Sequence, residues 1–188
     1  MRDRRLIAAM VVGLSMVAAL GITSGRASAG AEAGLINFDD VDAPCVFSDT
    51  KALRDEYAAQ GVHFRGNAPL NGGGIVNECG NWGVSGYTPP NFLGLNVNGQ
   101  YGDGGSATPP QYLFFDNPVG GIRIKAGARD GGTLRMVAYD TGQHVVGTKT
   151  ITMTPALQTV TIVAQGIKRV SIDVQGVGDF VIDDLQWR

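Results

Sequence analysis

The chain is poor in the residues that carry most enzymatic chemistry. Its 188 residues include two histidines and two cysteines. Two Cys and two His this far apart give no zinc spacing. A cysteine nucleophile needs a histidine in reach, and neither His63 nor His144 lies in a recognisable signature. His63 reads as an exposed strand position and His144 as surface after a turn. There is no G-x-S-x-G elbow, no H-E-x-x-H and no Walker loop, and Gly72-Gly73-Gly74 is followed by neither a Lys-Ser/Thr pair nor a helix. A basic excess is missing as well. Fifteen Lys and Arg face seventeen Asp and Glu, which argues against nonspecific nucleic-acid binding. Past the N-terminus no apolar run approaches the roughly 18–20 residues of a membrane span.

What is present begins with an address. Arg2, Arg4 and Arg5 precede an uncharged apolar run over residues 6–22, and Ala27-Ser28-Ala29 has the small-residue form of a signal-peptidase site. Residues 1–29 therefore read as a secretory signal peptide, with an uncleaved anchor helix as the alternative. Cleavage would remove four of the fifteen basic residues and one of the seventeen acids, leaving 159 residues with a formal balance of −5. That length fits one domain, residues 30–188, with a substantial core. A secreted, extracellular location makes Cys45 and Cys79 most simply a disulfide, with two free thiols as the alternative. Closing a loop of about 34 residues contributes about 3–4 kcal/mol in the loop-entropy model.

Periodicity then divides the chain. Residues 36–38 open as a short strand before the acids Asp39, Asp40 and Asp42. Residues 49–60 are predicted to be helical, with Ser48, Asp49 or Thr50 as cap, Leu53 and Tyr57 at i, i+4, and Gly61 as stop. Residues 62–64 read as a strand. Residues 66–110 form a Gly/Asn/Pro-rich insert with short strands at 74–77 and 92–97, and an insert of this length is usually functional. Beyond Pro110, strands are predicted at 112–115, 121–126, 134–139, 144–153, 158–163, 169–174 and 180–187. Many strands with one early helix point to an antiparallel β-sandwich.

The first and last strands end in acids. Alternation places Ile36, Phe38 and Asp40 on one face, and Val181, Asp183, Leu185 and Trp187 on one face. In the opposite register Phe180 and Ile182 turn inward and Asp184 comes to the core side. A carboxylate at a core margin needs a partner, and a hard cation with oxygen ligands would serve, Ca²⁺ being common outside cells. Asp39, Asp40, Asp183 and Asp184 are all candidate ligands, Asp40 and Asp183 the preferred pair. Exposed turn acids or helix caps are the plainer reading.

Several of these segments resemble a family. Ile36-Asn37-Phe38-Asp39-Asp40, Gly61-Val62-His63-Phe64, Pro89-Pro90-Asn91-Phe92-Leu93-Gly94-Leu95, Val137-Ala138-Tyr139-Asp140-Thr141-Gly142 and Phe180-Val181-Ile182-Asp183-Asp184-Leu185 together look like secreted bacterial jelly-roll modules of the galactose-binding-like type. Many carbohydrate-binding modules share that architecture. The resemblance implies an all-β jelly-roll β-sandwich and a structural calcium ion held by Asp39 or Asp40 and by Asp183 or Asp184. The Gly/Asn insert departs from the better-known sugar-binding members, so their sugar contacts do not transfer.

Sugar sites pair aromatic rings with amides and carboxylates. Within the insert, Trp82, Tyr87 and Tyr101 supply rings, and Asn81, Asn91 and Glu78 supply polar groups. Trp82, flanked by glycines, is expected to be exposed. Phe92 and Trp187 are assigned to the core. Glu78 reads as solvated, with a catalytic or hydroxyl-binding role as alternatives. The expected function is a noncatalytic module binding extracellular glycan. A structural or adhesive protein acting through secreted or cell-surface protein partners is the second reading. A small glycoside hydrolase, using paired carboxylates, is the third.

Overall fold

The computed structural model describes residues 33–45, 50–53, 55–66, 72–80, 82–96 and 110–188. The expected signal peptide lies outside them. Among the described residues ten strands run in order: β1 (Gly34–Ile36), β2 (Lys51–Ala52), β3 (Val62–Arg65), β4 (Gly74–Asn77), β5 (Asn91–Asn96), β6 (Gln111–Gly127), β7 (Thr133–Tyr139), β8 (Val145–Thr152), β9 (Gln158–Gln175) and β10 (Asp179–Trp187). They pair antiparallel in the order β2-β4-β5-β10-β6-β9-β7-β8, with β1 beside β10 and β3 beside β6. No helix among the described residues is long and apolar enough to cross a membrane.

The two long strands organise this sheet into layers. Register shifts after Phe114 and after Val119 divide β6 into two arms. The first arm pairs with β3 and the late half of β9, and the second with β10 and the early half of β9. One layer is thus β2-β4-β5-β10 with β1, the second arm of β6 and the early half of β9. The other is β3, the first arm of β6, the late half of β9, β7 and β8. Ile75, Leu93, Phe180, Ile182, Ile124 and Val160 from the first layer share one core with Phe64, Leu113, Phe115, Val170, Ile172 and Met136 from the second. Each such side chain contributes about 1.5–3 kcal/mol by leaving water. Two layers around one core is sandwich packing.

A smaller core lies on the other face of the first layer. Val76, Phe92 and Val181 alternate with the inward Ile75, Leu93 and Ile182, so this stretch is apolar on both sides. Trp82 and Val84 cover it, with Tyr87 and Leu157 at the rim. Backbone bonds fix the cover: Ser85 N–H donates to the Pro155 carbonyl at 2.9 Å and Leu157 N–H to the Ser85 carbonyl at 2.8 Å.

Three local expectations are corrected. The described residues of the predicted 49–60 helix, 50–53 and 55–60, form no α-helix. Lys51–Ala52 pairs with β4, and a 3₁₀ turn, Ala58–Gln60, lies further on. Leu53 and Tyr57 are buried, but they enter the main core from a strand end and a turn. The first strand stops at Ile36, because Phe38 takes φ 64° in a turn closed by Val41 N–H to the Phe38 carbonyl. The predicted pairs 112–115 and 121–126, and 158–163 and 169–174, are single bent strands, β6 and β9.

Candidate functional site

The turn after β1 brings three of the four acids into one neighbourhood. Asp39 accepts the Asn91 backbone N–H at 2.9 Å and the Asn37 side-chain amide at 2.6 Å. Asn91, buried at the start of β5, donates its own amide to the carbonyls of Phe38 and Val41, at 2.9 and 2.8 Å. On β10, Asp183 is 0 % exposed. Its Oδ2 accepts the Thr88 N–H at 2.5 Å, while its Oδ1 has no hydrogen-bond partner. Asp184, at φ 47° inside the bulge between Asp183 and Gln186, accepts the Thr88 hydroxyl at 3.0 Å and pairs with Lys125 at 2.7 Å. Asp40, next in the chain to Asp39, is engaged by another partner, accepting the Tyr57 hydroxyl at 2.8 Å.

Both sequence registers of the last strand hold in part. Phe180 and Ile182 face the main core, and Asp183 lies on the outer face under the Thr88 segment. The bulge then returns Leu185 to the core.

Burial, above all, pushes the Asp183 carboxyl up to about 7. The N–H groups of Thr88 and Asp184 oppose this, and the charges of Asp184 and Asp39 add to it. Asp39 is also raised, first by burial, against the Asn91 N–H and with the charges of Asp184 and Asp40. Burial and then the hydrogen bond to Asp40 raise the Tyr57 hydroxyl.

Among the described residues no group of three or more His, Cys, Asp or Glu is arranged to hold a metal ion. The orphaned atoms here are oxygens: Asp183 Oδ1 and Asn91 Oδ1 are buried acceptors without a donor. A carboxylate and an amide oxygen suit a hard cation and not a soft one.

The insert is arranged differently from the expectation. Trp82 is 8 % exposed, edge-on to Phe92 at 6.0 Å between ring centroids. Its predicted exposure is corrected: the outward Val76, Phe92 and Val181 need a cover, and the indole provides it. Asn91 is likewise buried and holds backbone. Tyr87 packs on Phe92 at 5.3 Å and remains half-buried. Glu78 accepts the Trp82 N–H at 3.4 Å. Its carboxyl is raised by burial, against that N–H and the Tyr87 hydroxyl. Cys45 and Cys79 form a disulfide, their Cα atoms 5.5 Å apart. Asn81 and Tyr101 lie outside the described residues.

A face that the sequence reading passed over lies on the second layer. Leu113, Phe115, Val170, Ile172, Met136 and Ala138 point into the core. Alternation therefore turns Tyr112, Phe114, Arg169, Ser171, Val137 and Tyr139 outward. Register sets Phe114 beside Arg169 and Arg169 beside Tyr139, with Tyr112, Ser171 and Val137 in the next row. The Arg169 guanidinium lies 4.2 Å from the Tyr139 ring centroid and 5.5 Å from that of Tyr112. Tyr112 and Phe114 are neighbours at 6.2 Å. Tyr112, Phe114, Tyr139 and Arg169 are all partly exposed. On β3, His63 bridges Asp55 at 3.3 Å and Asp116 at 3.1 Å, and Arg65 pairs with Asp55 at 2.5 Å. Arg65 first, then His63, holds the Asp55 carboxyl below its usual range. The alternation of Tyr112 and Phe114 was visible in the sequence, but their meeting with Arg169 and Tyr139 depends on nonlocal pairing.

An open groove of about 660 Å³ also runs beside β1, lined by Leu35, Arg123, Thr161, Val163, Gln186 and Arg188 among others. Leu35 and Val163 are 52 % and 63 % exposed there, while Trp187 is buried.

No family model and no curated protein matches the chain. Similar solved structures include the module TmCBM61 in complex with β-1,4-galactotriose, at 13 % identity and TM-score 0.44 over 73 % of this chain and 97 % of that one. A DUF4465 family protein from Bacteroides caccae is similar at 12 % identity and TM-score 0.43, over 88 % and 96 % of the two chains. The CBM22-1–GH10 modules of Clostridium thermocellum xylanase 10B, complexed with xylohexaose, are similar at 12 % identity and TM-score 0.38. That match covers 78 % of this chain and 28 % of the xylanase chain.

Proposed function

We propose that the chain is a secreted, noncatalytic jelly-roll module that binds extracellular carbohydrate and holds a structural calcium ion. The observation that carries the binding reading is the partly exposed row of Phe114, Arg169 and Tyr139 with Tyr112 beside it. Aromatic faces stack on the apolar faces of pyranose rings, and neighbouring polar groups bond the hydroxyls. Strand-borne rings hold such a platform more rigidly than loop-borne ones. The disulfide supports an oxidising address.

The calcium reading rests on the two orphaned oxygens of Asp183 and Asn91. Those residues, with Asp39, would hold the ion. When bound, it supplies positive charge to buried acceptors that lack a donor.

Retention on insoluble polysaccharides tests the function. Phe114→Ala and Tyr139→Ala are each expected to weaken retention about tenfold or more, in the 1–3 kcal/mol range of a lost ring contact. Unaltered retention in both variants would move the site off this face.

A further inference from the structure

We infer that the face built by β6, β9 and β7 takes a glycan carrying carboxylates, with Arg169 as the anion contact. The inference rests on the carbohydrate-binding reading and names its substrate class.

Arg169 is the basis. Its guanidinium is held against the rings of Tyr139 and Tyr112, and it makes no ion pair with a carboxylate among the described residues. Its Nε is buried without an acceptor. Two basic neighbours are already engaged: Arg65 pairs with Asp55 at 2.5 Å, and Lys168 donates to the Asp116 carbonyl at 2.7 Å. The chain carries more acids than bases, so carboxylates were available for pairing, yet Arg169 has rings beside it instead. A partly buried cation without a counter-charge is costly to keep, and ring stacking offsets only part of that cost.

The geometry suits one ligand chemistry. A guanidinium presents a planar fork that matches a carboxylate bidentately. Tyr139, Tyr112 and Phe114 lie within one or two strand positions of it. A uronic acid joins both requirements in one residue, an apolar pyranose face for a ring and a carboxylate on the edge of that pyranose for the guanidinium. A neutral sugar meets only the first requirement, and an acidic peptide only the second.

The test is titration calorimetry on the full chain at fixed ionic strength, with oligogalacturonate, the same oligomer after carboxyl reduction, and polyglutamate as probes. Binding of the oligogalacturonate at least tenfold tighter than of its reduced form is expected. Arg169→Lys keeps the charge but not the fork, and should abolish most of that preference. The comparison of native and reduced ligand needs no variant, so a misfolded Arg169 variant leaves the test intact. Equal binding of the two oligomers would overturn the uronate inference and leave the carbohydrate reading standing. Polyglutamate binding as tight as the oligogalacturonate would overturn it in favour of an acidic protein. Binding of neither oligomer by folded protein would overturn the inference, and loss of retention on every insoluble polysaccharide besides would overturn the reading beneath it.

Discussion

The carboxylate of Asp183 is the most consequential single group in the acidic junction. It is buried, has one oxygen without a partner, and titrates at about 7 against an ordinary 3.8. In metal-free protein the native state therefore holds this proton more tightly than the unfolded chain does. The stability it gives is complete below about pH 4 and is lost as pH rises through about 7. Chelated protein should lose on the order of 3–4 kcal/mol from this group between pH 4 and pH 8, measured by urea unfolding. Asp183→Asn should flatten that profile. Calcium acts in the other direction, because a cation bound only by the native state stabilises it by mass action. At pH 8 added calcium should raise the melting temperature of the wild type and leave Asp183→Asn unmoved. A wild-type melting curve indifferent to calcium at pH 8 would reject the ion.

At the scale of elements, two positions show how closely the strands are fitted. Gly34 in β1 lies against the Trp187 indole, so that a Cβ there would come within 2.7 Å of three of its ring carbons. Gly34→Val should cost about 1–3 kcal/mol through overpacking, read as an earlier urea midpoint at unchanged slope. Trp82 seals the outer face of β4, β5 and β10. Trp82→Ala should cost about 3–5 kcal/mol by cavity formation and leave glycan retention intact. A variant with unchanged melting and lost binding would restore the indole as a ligand contact.

These same elements show what was legible in sequence. Alternation in residues 158–163 and 169–174 identified strand, because one face of each is core. It did not show that the segments join as β9, since the bend between them has no composition signal of its own. The i, i+4 spacing of Leu53 and Tyr57 is equally consistent with a strand end and a turn feeding one core, and the pairing of Lys51–Ala52 with β4 decided it. Glycines around Trp82 signalled loop correctly, but loop does not mean exposed when an apolar sheet face lies beneath. The acids were legible as a group. Which of them lost its partner depended on the bulge at Asp184, which alternation cannot foresee.

Across the whole molecule, two layers and one disulfide hold an acidic chain together. Cys45 and Cys79 close a separation of 34 residues. Reduction should cost about 3–4 kcal/mol in the loop-entropy model, seen as a lower melting temperature in reductant, without loss of strand signal at room temperature. The bond ties the turn region after β1 to the part of the insert just after β4, so its loss should be felt first at the Asp39–Asn91 junction. The second layer, carrying Tyr112, Phe114, Tyr139 and Arg169, has those residues remote from that bond in sequence, so the proposed glycan retention should survive reduction.

The claim that this face binds carbohydrate is tested most directly by hydroxyl-radical footprinting of the full chain with and without a saturating glycan identified on an array. Protection is expected at Tyr112, Phe114 and Tyr139, with Trp82 unreactive in both states. Protection confined to Leu35 and Val163 in the groove beside β1, with those three rings unchanged, would contradict it.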